Sequence, residues 1–453
     1  MTDKILSANN YIEKSRKTVK NEYRLRYHMM PPIGWLNDPN GLIYFKGRYH
    51  LYYQFNPYAS CPGKMCWGHF LSEDLISYVD DGVALKPDME DASAFSGGAI
   101  EYDGKINAFY TLHIENEKGK SEEVYKAVSS EGFFFDRGAK VFNNGDLPKN
   151  ISRTDFRDPC PVKIGDKYFV FVGGKDEVLN KGVIIVLHGT TPEKLEYAFK
   201  LGPYYELGDM GECPSYFRIG DKDVIIVSGC NVPQRGNDFK NINSSVFIVG
   251  ELNFEKGEMK VDCIREIDKG DSFYAPQFIR GTDKPVMIGW FEMWEKKYPT
   301  HEKNHGWVGA FSIPREISLK DGEIYQTPVQ TLNEYLSDAK EGTVPKCADI
   351  TLRFTGEGAL KIEGDDGEVI IGKDSGVYLD TNLTNNMFGC VRRTNNNYGS
   401  CEVRILLDIS GIEVFVDGGR EVISSRIYID GNYKMRVDGN ISEILIKEIG
   451  KRK

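Results

Sequence analysis

Hydrophobic and polar residues alternate in short runs through most of this chain, and turns that carry glycine separate the runs. Five stretches share one order: an alternating run, a glycine turn, and a second, more apolar run. They begin near Asp38, Ser96, Asp158, Glu212 and Tyr274, so the pattern recurs about every 60 residues. Each stretch predicts a β-hairpin, because glycine and aspartate tolerate the backbone angles of tight turns. The five turns are Lys46-Gly47-Arg48, Asp103-Gly104-Lys105, Gly165-Asp166-Lys167, Gly220-Asp221-Lys222 and Gly281-Thr282-Asp283.

A hairpin alone cannot bury its apolar faces, so the repeats must pack together. A period of this size, with about four strands in each unit, is typical of the blades of a β-propeller. Five repeats therefore predict a five-bladed β-propeller. The first strand of each blade lines the central channel and enters it from one common end. We therefore expect Asp38, Asp158 and Glu212, which start three of these strands, to meet at one mouth of the channel.

The repeat stops after Pro314, and the pattern of hydrophobic and polar residues changes there. Residues 327–341 read as a linker with one helical turn. Residues 342–453 return to short alternating strands without the period, which predicts a β-sandwich. We assign residues 26–326 to the propeller and residues 1–25 to a helical leader, with an amphipathic helix over Asn9 to Glu22. The predicted fold class is all-β, a five-bladed β-propeller followed by a C-terminal β-sandwich.

Composition and charge exclude several classes of function. The formal net charge is -10 and no basic stripe is present, which argues against a nucleic-acid partner. Residues 1–20 lack the apolar core of a signal peptide and no run is long enough to span a membrane, so we expect a cytoplasmic protein with no membrane partner. The oligomeric state stays open.

The cysteines and histidines give no sign of a metal or another cofactor. The nine cysteines lack the spacing of metal ligands or of a disulfide framework, which favours a reducing compartment. His301 and His305 have the spacing of ligands on a helix, but Pro299 and Gly306 interrupt that segment. We predict neither a metal nor a cofactor.

The three acidic residues carry the candidate chemistry. Taken singly, the turn at Asp38, the Arg157-Asp158 pair and Glu212 each resemble ordinary surface features. Three carboxylates at one channel mouth would repel one another, and stability alone does not select that arrangement. It does suit the cleavage of a glycosidic bond, where one carboxylate attacks the anomeric carbon and one carboxylic acid protonates the leaving oxygen.

Seven short motifs resemble those of glycoside hydrolase family 32. They are Trp35-Leu36-Asn37-Asp38-Pro39-Asn40-Gly41, Trp67-Gly68-His69, Phe95-Ser96-Gly97, Arg157-Asp158-Pro159, Glu212-Cys213-Pro214, Phe273-Tyr274-Ala275 and Ser312-Ile313-Pro314-Arg315-Glu316. Near the end, Glu413-Val414-Phe415-Val416 with Gly418 is similar to part of the second domain of that family. The resemblance implies a five-bladed propeller with a β-sandwich, and retaining hydrolysis of small-molecule or oligosaccharide β-fructofuranosides such as sucrose, sucrose-6-phosphate and fructans.

The resemblance also implies a role for each acidic residue. Asp38 would be the nucleophile, Glu212 the acid/base and Asp158 the stabiliser of the transition state. We expect Asp38 to stay ionised and a neighbouring anion with an apolar wall from Cys213 to raise the pKa of Glu212. Arg157 should keep Asp158 ionised. The substrate-binding residues that the resemblance implies are Asn37, Gln54, Trp67, Phe95, Ser96, Arg157, Tyr274 and Trp290. For Trp67 and Trp290, packing in the core is an equal alternative.

Some residues depart from the family pattern, so the leaving-group side of the site is open. Residues 61–64 replace a stretch where relatives often carry tryptophan, and Ser272 stands where an aspartate commonly precedes Phe-Tyr-Ala, with Asp271 one step back. A basic loop after the fifth repeat offers a site for a sugar phosphate, although such a loop is more often simply solvated. Its residues are Lys296, Lys297, His301, Lys303 and His305. A fructan exohydrolase or fructosyltransferase on the same scaffold, and a non-catalytic carbohydrate-binding propeller, are the alternatives.

Overall fold

The computed structural model describes residues 3–385, 387 and 389–452. It opens with helix α1 (Asp3–Ser15), which buries Ile5, Ala8 and Ile12 along one face. The predicted helix over Asn9 to Glu22 is therefore wrong in its bounds. The apolar residues that recur at helical spacing lie before Ser15, and the polar residues after it offer no apolar face. The helix packs on the first blade, where the Asn9 side chain accepts a hydrogen bond from the backbone of Val83 (2.8 Å).

Blades one and two form the start of a ring of antiparallel sheets. Blade one contains β1 (Gly34–Phe45), β2 (Arg48–Asn56), β3 (Cys66–Ser72) and β4 (Val79–Leu85). Blade two contains β5 (Ala92–Phe95), β6 (Ala99–Tyr102), β7 (Lys105–Asn116), β8 (Gly119–Ser129) and β9 (Ala139–Lys140). The first strand of blade two is interrupted at Ser96, and both of its halves, β5 and β6, pair with β7.

Blades three to five complete the ring. Blade three contains β10 (Ile151–Ile164), β11 (Lys167–Asp176), β12 (Lys181–Gly189) and β13 (Glu196–Leu201). Blade four contains β14 (Met210–Ile219), β15 (Lys222–Cys230), β16 (Asn243–Asn253) and β17 (Glu258–Glu266). Blade five contains β18 (Tyr274–Phe278), β19 (Val286–Trp290), β21 (Arg315–Lys320) and β22 (Glu323–Pro328), and the short helix α2 (Pro299–Glu302) precedes β20 (Trp307–Val308).

Blade five returns to blade one and closes the ring. Strand β20 pairs in parallel with the start of β1. The backbone of Arg280 also joins the two blades, because its N–H donates to the carbonyl of Leu42 and its carbonyl accepts from Tyr44, both at 2.8 Å. The predicted five-bladed propeller is confirmed.

The glycine turns form the predicted hairpins for the reason given by their sequence. Phe45 pairs directly with Arg48, which leaves a two-residue turn in which Lys46 and Gly47 both have positive φ (48° and 81°). Such a turn matches the right-handed twist of the strands that it connects.

The remaining strands build the β-sandwich on one side of the ring. They are β23 (Leu336–Asp338), β24 (Ala348–Glu363), β25 (Glu368–Lys373), β26 (Val377–Asp380), β27 (Val391–Arg393), β28 (Cys401–Asp408), β29 (Gly411–Val416), β30 (Glu421–Arg426) and β31 (Lys434–Ile449). The first half of β24 pairs with β28 and its second half with β25, so this long strand serves two parts of the sandwich. Among the residues that the structure describes there are also three short 3₁₀ helices: Asn144–Asp146, Tyr205–Leu207 and Gln330–Tyr335.

A buried network of charged side chains joins the propeller to the sandwich. Arg315 of blade five contacts Asp268 (Nη2 to Oδ2, 2.9 Å) and Glu413 (Nε to Oε2, 3.1 Å). His28 lies between Glu413 and Asp408, with each ring nitrogen 2.9 Å from a carboxylate oxygen. Each charge in the network has an opposite partner, which a charge needs when it is fully buried.

Candidate active site

The first strands of blades three, four and five each carry a bulge at the same place. In each bulge a residue with positive φ precedes a proline, at Asp158-Pro159 (65°), Cys213-Pro214 (48°) and Ala275-Pro276 (47°). The pairing register shifts there in all three strands. Proline suits the position, because a bulged residue leaves the hydrogen-bond ladder and needs no N–H. In an unbroken strand, successive side chains point to opposite faces. The bulge allows the consecutive residues Arg157 and Asp158 both to line the central cavity.

The structure brings Asp38, Asp158 and Glu212 together in one cavity of about 450 Å³, the central cavity. Cys213 connects the two aspartates, because its thiol lies 3.6 Å from Asp38 Oδ2 and 3.4 Å from Asp158 Oδ2. Its backbone N–H also donates to Asp158 Oδ2 (2.9 Å). The central cavity is lined by Asn37, Asp38, Gln54, Pro62, Gly63, Met65, Phe95, Ser96, His113, Glu115, Lys120, Glu122, Arg157, Asp158, Glu212, Cys230, Asn243 and Trp294.

The two aspartates bind protons more tightly than aspartates in water. Burial raises the pKa of Asp38 to about 6, although the Ser96 hydroxyl donates to Asp38 Oδ2 at 2.5 Å and partly offsets that rise. Burial also raises the pKa of Asp158 to about 7; the Arg157 guanidinium opposes this rise, and the charges of Glu212 and Asp38 add to it. The expectation that Arg157 keeps Asp158 ionised is therefore wrong at neutral pH. At neutral pH Asp38 is therefore mostly ionised, which agrees with the expectation for this residue.

The pKa of Glu212 moves in the opposite direction. Burial alone would raise it, but the Arg157 guanidinium and the Tyr274 hydroxyl lower it below the usual glutamate value. Arg157 donates to Glu212 Oε1 from Nε (3.1 Å) and Nη2 (2.6 Å), and Tyr274 donates to Oε2 (2.6 Å). The expectation of a raised pKa for Glu212 is therefore wrong. The sequence placed Arg157 beside Asp158, but the bulge directs its side chain to Glu212.

The tryptophans that the resemblance implies lie behind the wall of the central cavity. Trp67 and Trp290 are both fully buried and pack in the core. The Trp67 indole donates to the carbonyl of Phe95 (3.0 Å), and Trp290 packs against Trp294 with ring centroids 4.8 Å apart. Both therefore support residues that line the cavity. Trp294 supplies the indole at the wall, and no motif in the sequence marks it.

A group of charged residues on blade two was also missed. Glu122 contacts Arg157 (3.1 Å), Lys120 (3.1 Å) and His113 (3.2 Å), and its side chain is almost fully buried. The His113 ring stacks on Phe95, with centroids 3.9 Å apart. The signal was present in the strand pattern, because Glu122 stands in the inward register of β8, where an apolar residue is usual.

The residues that depart from the family pattern fall into two places. Pro62 and Gly63 line the central cavity, so this stretch does shape the site. Asp271 and Ser272 lie away from the cavity, where the buried Asp271 carboxylate pairs with Lys296 (2.9 Å).

Most of the basic loop is occupied by contacts within the protein. Lys296 pairs with Asp271, the ring of His301 contacts the Ser60 hydroxyl (2.8 Å), and His305 is buried. Lys303 extends toward the ring of Tyr23. None of these residues lines the central cavity. In the parts of the chain that the structure describes, no helix is long and apolar enough to cross a membrane.

A propeller with three acids in its cavity and a sandwich at its side defines a glycoside hydrolase, and comparisons with known proteins identify its family. The model of the N-terminal domain of glycosyl hydrolases family 32 matches residues 28–328, and the C-terminal model of that family matches residues 372–441. The chain belongs to glycosyl hydrolases family 32, and it is an enzyme of the β-fructofuranosidase type.

Relatives of known activity and structure cover nearly the whole chain. A sucrose-6-phosphate hydrolase of Escherichia coli is 29% identical over 93% of each chain. A sucrose-6-phosphate hydrolase of Vibrio alginolyticus is 30% identical over 91% of this chain and 88% of its own. Among solved structures, a family 32 β-fructofuranosidase of Bombyx mori is 30% identical, with a TM-score of 0.88 over 99% of this chain and 98% of its own.

Proposed function

We propose that this enzyme releases terminal β-fructofuranosyl units from sucrose, sucrose-6-phosphate or short fructo-oligosaccharides, with retention of configuration. The observation that carries the proposal is the convergence of Asp38, Asp158 and Glu212 in one cavity of about 450 Å³. A cavity of that volume is typical of small-ligand sites. The relatives named as sucrose-6-phosphate hydrolases indicate the class of substrate.

In the proposed first step, Asp38 attacks the anomeric carbon of the fructosyl unit. The bond to the leaving oxygen breaks as Glu212 transfers its proton to that oxygen, and a covalent fructosyl-enzyme forms. In the second step Glu212, now ionised, takes a proton from water, and the water oxygen displaces Asp38. Asp158 stabilises the positive charge that develops on the ring.

Arg157 and Tyr274 both bind the Glu212 carboxylate and lower its pKa. We propose that the leaving sugar enters beside this carboxylate and loosens the contact with Arg157. Burial, which raises the pKa of Glu212, then dominates.

Around the reacting atoms, we propose that Asn37, Gln54, Phe95, Ser96 and Arg157 hold the fructosyl unit, since all five line the central cavity. Tyr274 acts through Glu212. Trp67 and Trp290 support the wall. We place the reaction in the cytoplasm, because the nine free cysteines suit a reducing compartment.

A substrate panel tests the proposal. Purified protein is incubated with sucrose, sucrose-6-phosphate and short fructo-oligosaccharides, and the products are resolved by chromatography. Methanol added to the reaction should yield methyl β-fructofuranoside if configuration is retained. The panel also separates hydrolysis from transfer, because a transferase would build longer oligosaccharides. A wild-type protein that releases no fructose from any of these substrates would refute the proposal.

Two substitutions test the assigned roles. Glu212→Gln should reduce kcat on sucrose by about 10² to 10⁴, the usual size of general acid catalysis. Asp38→Asn removes the nucleophile and should reduce kcat by at least as much. Asp221→Asn, which removes an exposed acid in the turn after β14, is the matched control and should keep wild-type activity. A Glu212→Gln variant with normal kcat would exclude Glu212 as the proton donor.

A further inference from the structure

Arg157 lies between two carboxylates of the central cavity rather than beside one. On one side it donates to Glu212 from Nε and Nη2, at 3.1 and 2.6 Å. On the other side Nη1 donates to both oxygens of Glu122, at 3.1 and 3.4 Å. The side chain of Glu122 is 1% exposed, whereas that of Arg157 is 16% exposed. Glu122 therefore holds the guanidinium from the protein side and leaves Glu212 on the cavity side.

Glu122 is itself fixed by several donors. The backbone N–H of Phe156 donates to its Oε2 (3.2 Å), His113 Nδ1 lies 3.2 Å from its Oε1, and Lys120 Nζ lies 3.1 Å from the same oxygen. Burial alone would raise the pKa of Glu122, but His113, Arg157 and Lys120 lower it to about 2. Glu122 is therefore ionised at neutral pH.

Two further acids lie near the partners of Glu122. Asp155 pairs with Lys120 (2.9 Å) and lies 3.7 Å from Arg157. Glu115 lies 3.7 Å from His113. Both acids are partly or largely exposed, with side-chain exposures of 34% and 72%, so solvent screens them more than it screens Glu122.

This arrangement bears on a conflict in the proposed mechanism. The general acid must hold a proton, yet Arg157 favours the ionised form of Glu212. An arginine cannot relieve the conflict by losing its own proton. A second carboxylate on the same guanidinium does relieve it in part, because it offsets the positive charge that Glu212 experiences.

We propose that Glu122 is a positioning residue for the reaction, which anchors Arg157 on blade two and shares its charge, so that Glu212 can carry the proton it delivers. The inference rests on the proposed function. It assigns no contact with substrate to Glu122, which acts through Arg157 alone.

The test is the pH dependence of kcat for sucrose in the Glu122→Gln variant, because kcat reports the protonation states of the enzyme with substrate bound. Glutamine has nearly the same shape as glutamate and lacks the charge. The alkaline limb of the profile, where the general acid loses its proton, should move to lower pH by about one unit. The matched control is Glu123→Gln, because the neighbouring Glu123 faces the other way and pairs with Lys140 (2.6 Å). Its profile should coincide with that of wild type.

A second substrate separates a proton effect from a general distortion. An aryl β-fructofuranoside has a leaving group that needs little protonation, so Glu122→Gln should depress its hydrolysis much less than that of sucrose. Equal losses on both substrates at every pH would overturn the inference and indicate a purely structural role. An alkaline limb that stays in place in an active Glu122→Gln enzyme would also overturn it.

Glu122→Asp keeps the test open if the glutamine variant does not fold. Aspartate retains the charge, so the alkaline limb should stay at the wild-type position even if kcat falls, and a limb displaced to lower pH would contradict the proposal. Failure of the proposed function is distinguishable, because in that case wild-type enzyme releases no fructose. An active wild type with an unresponsive limb refutes only the role of Glu122.

Discussion

The hydrogen bond from Ser96 to Asp38 should set the lower end of the pH range in which the enzyme works. The Ser96 hydroxyl donates to Asp38 Oδ2 at 2.5 Å, and both residues are buried. The bond stabilises the ionised form of Asp38, which the proposed nucleophile requires. Ser96→Ala removes the donor and leaves the backbone free to keep its path, so the carboxylate loses one of the contacts that oppose burial.

The magnitude follows from the strength of a charged hydrogen bond. Such bonds contribute about 1.5 to 3 kcal/mol, and about 1.4 kcal/mol corresponds to one pH unit of pKa. The pKa of Asp38, about 6 in the wild type, should therefore rise by about one to two pH units in Ser96→Ala. The acidic limb of kcat should move upward by the same amount. Activity well below that limb should fall about 10- to 100-fold and should recover as the pH rises.

The assay is the initial rate of fructose release from sucrose at saturating concentration across a range of pH, with kcat fitted at each point. Ser93→Ala is the control, because Ser93 lies on the same strand, β5, and accepts a hydrogen bond from the backbone of Met65 without touching Asp38. Its acidic limb should not move. If Ser96→Ala lowers kcat equally at every pH and the acidic limb stays in place, the bond does not tune the pKa of Asp38, and the electrostatic reasoning is refuted.

Two further predictions concern stability. Burial opposes protonation of His28, but its two carboxylate partners raise its pKa above the usual value. The contribution of His28 to the free energy of unfolding is therefore complete below about pH 6.5 and is lost as pH rises through the raised pKa. His28→Gln should lower the free energy of unfolding by about 3 to 5 kcal/mol in acid to neutral buffer and should remove the loss of stability with rising pH. Denaturant titrations at several pH values measure both effects. An unchanged midpoint of denaturant unfolding would contradict the prediction. Gly97→Ala should lower Tm and activity together, because a Cβ there would lie 1.9 Å from the Phe109 carbonyl oxygen. The control is Gly399→Ala, where an added Cβ meets no atom within 4 Å, and it should change neither quantity. Calorimetry measures Tm and rate assays measure activity. Normal Tm and activity in Gly97→Ala would show that the backbone there yields easily.

The fold was predictable because each repeat carries its own signals. The glycine turns and the alternating runs fix hairpins locally, and the period fixes how many must share a ring. The ends of helix α1 were not predictable from the same signals, since a polar segment after Ser15 continues without a glycine or proline to mark the boundary. The placement of the three acids followed from the position of each in its repeat.

The orientation of single side chains was harder to predict. Arg157 precedes Asp158 in sequence, and a regular strand would send the two to opposite faces. The bulge at Asp158 brings both into the cavity, and Arg157 binds Glu212 instead of its neighbour. A proline within a strand pattern was the available signal, since proline in a sheet marks an edge or a bulge. A local signal of this kind could not predict the contact of Glu122, because its partner Arg157 lies on another blade.

The charged cluster around Arg315 has a consequence for attempts to dissect the enzyme into smaller pieces. This guanidinium is wholly enclosed, and it is bound by Asp268 from the ring and by Glu413 and Ser424 from the appended sandwich. A fragment truncated after residue 328 would remove two partners of Arg315, Glu413 and Ser424, and expose the surface that buries it. We therefore expect that the propeller and the sandwich are each unstable without the other, and that an active fragment of this chain would have to retain both.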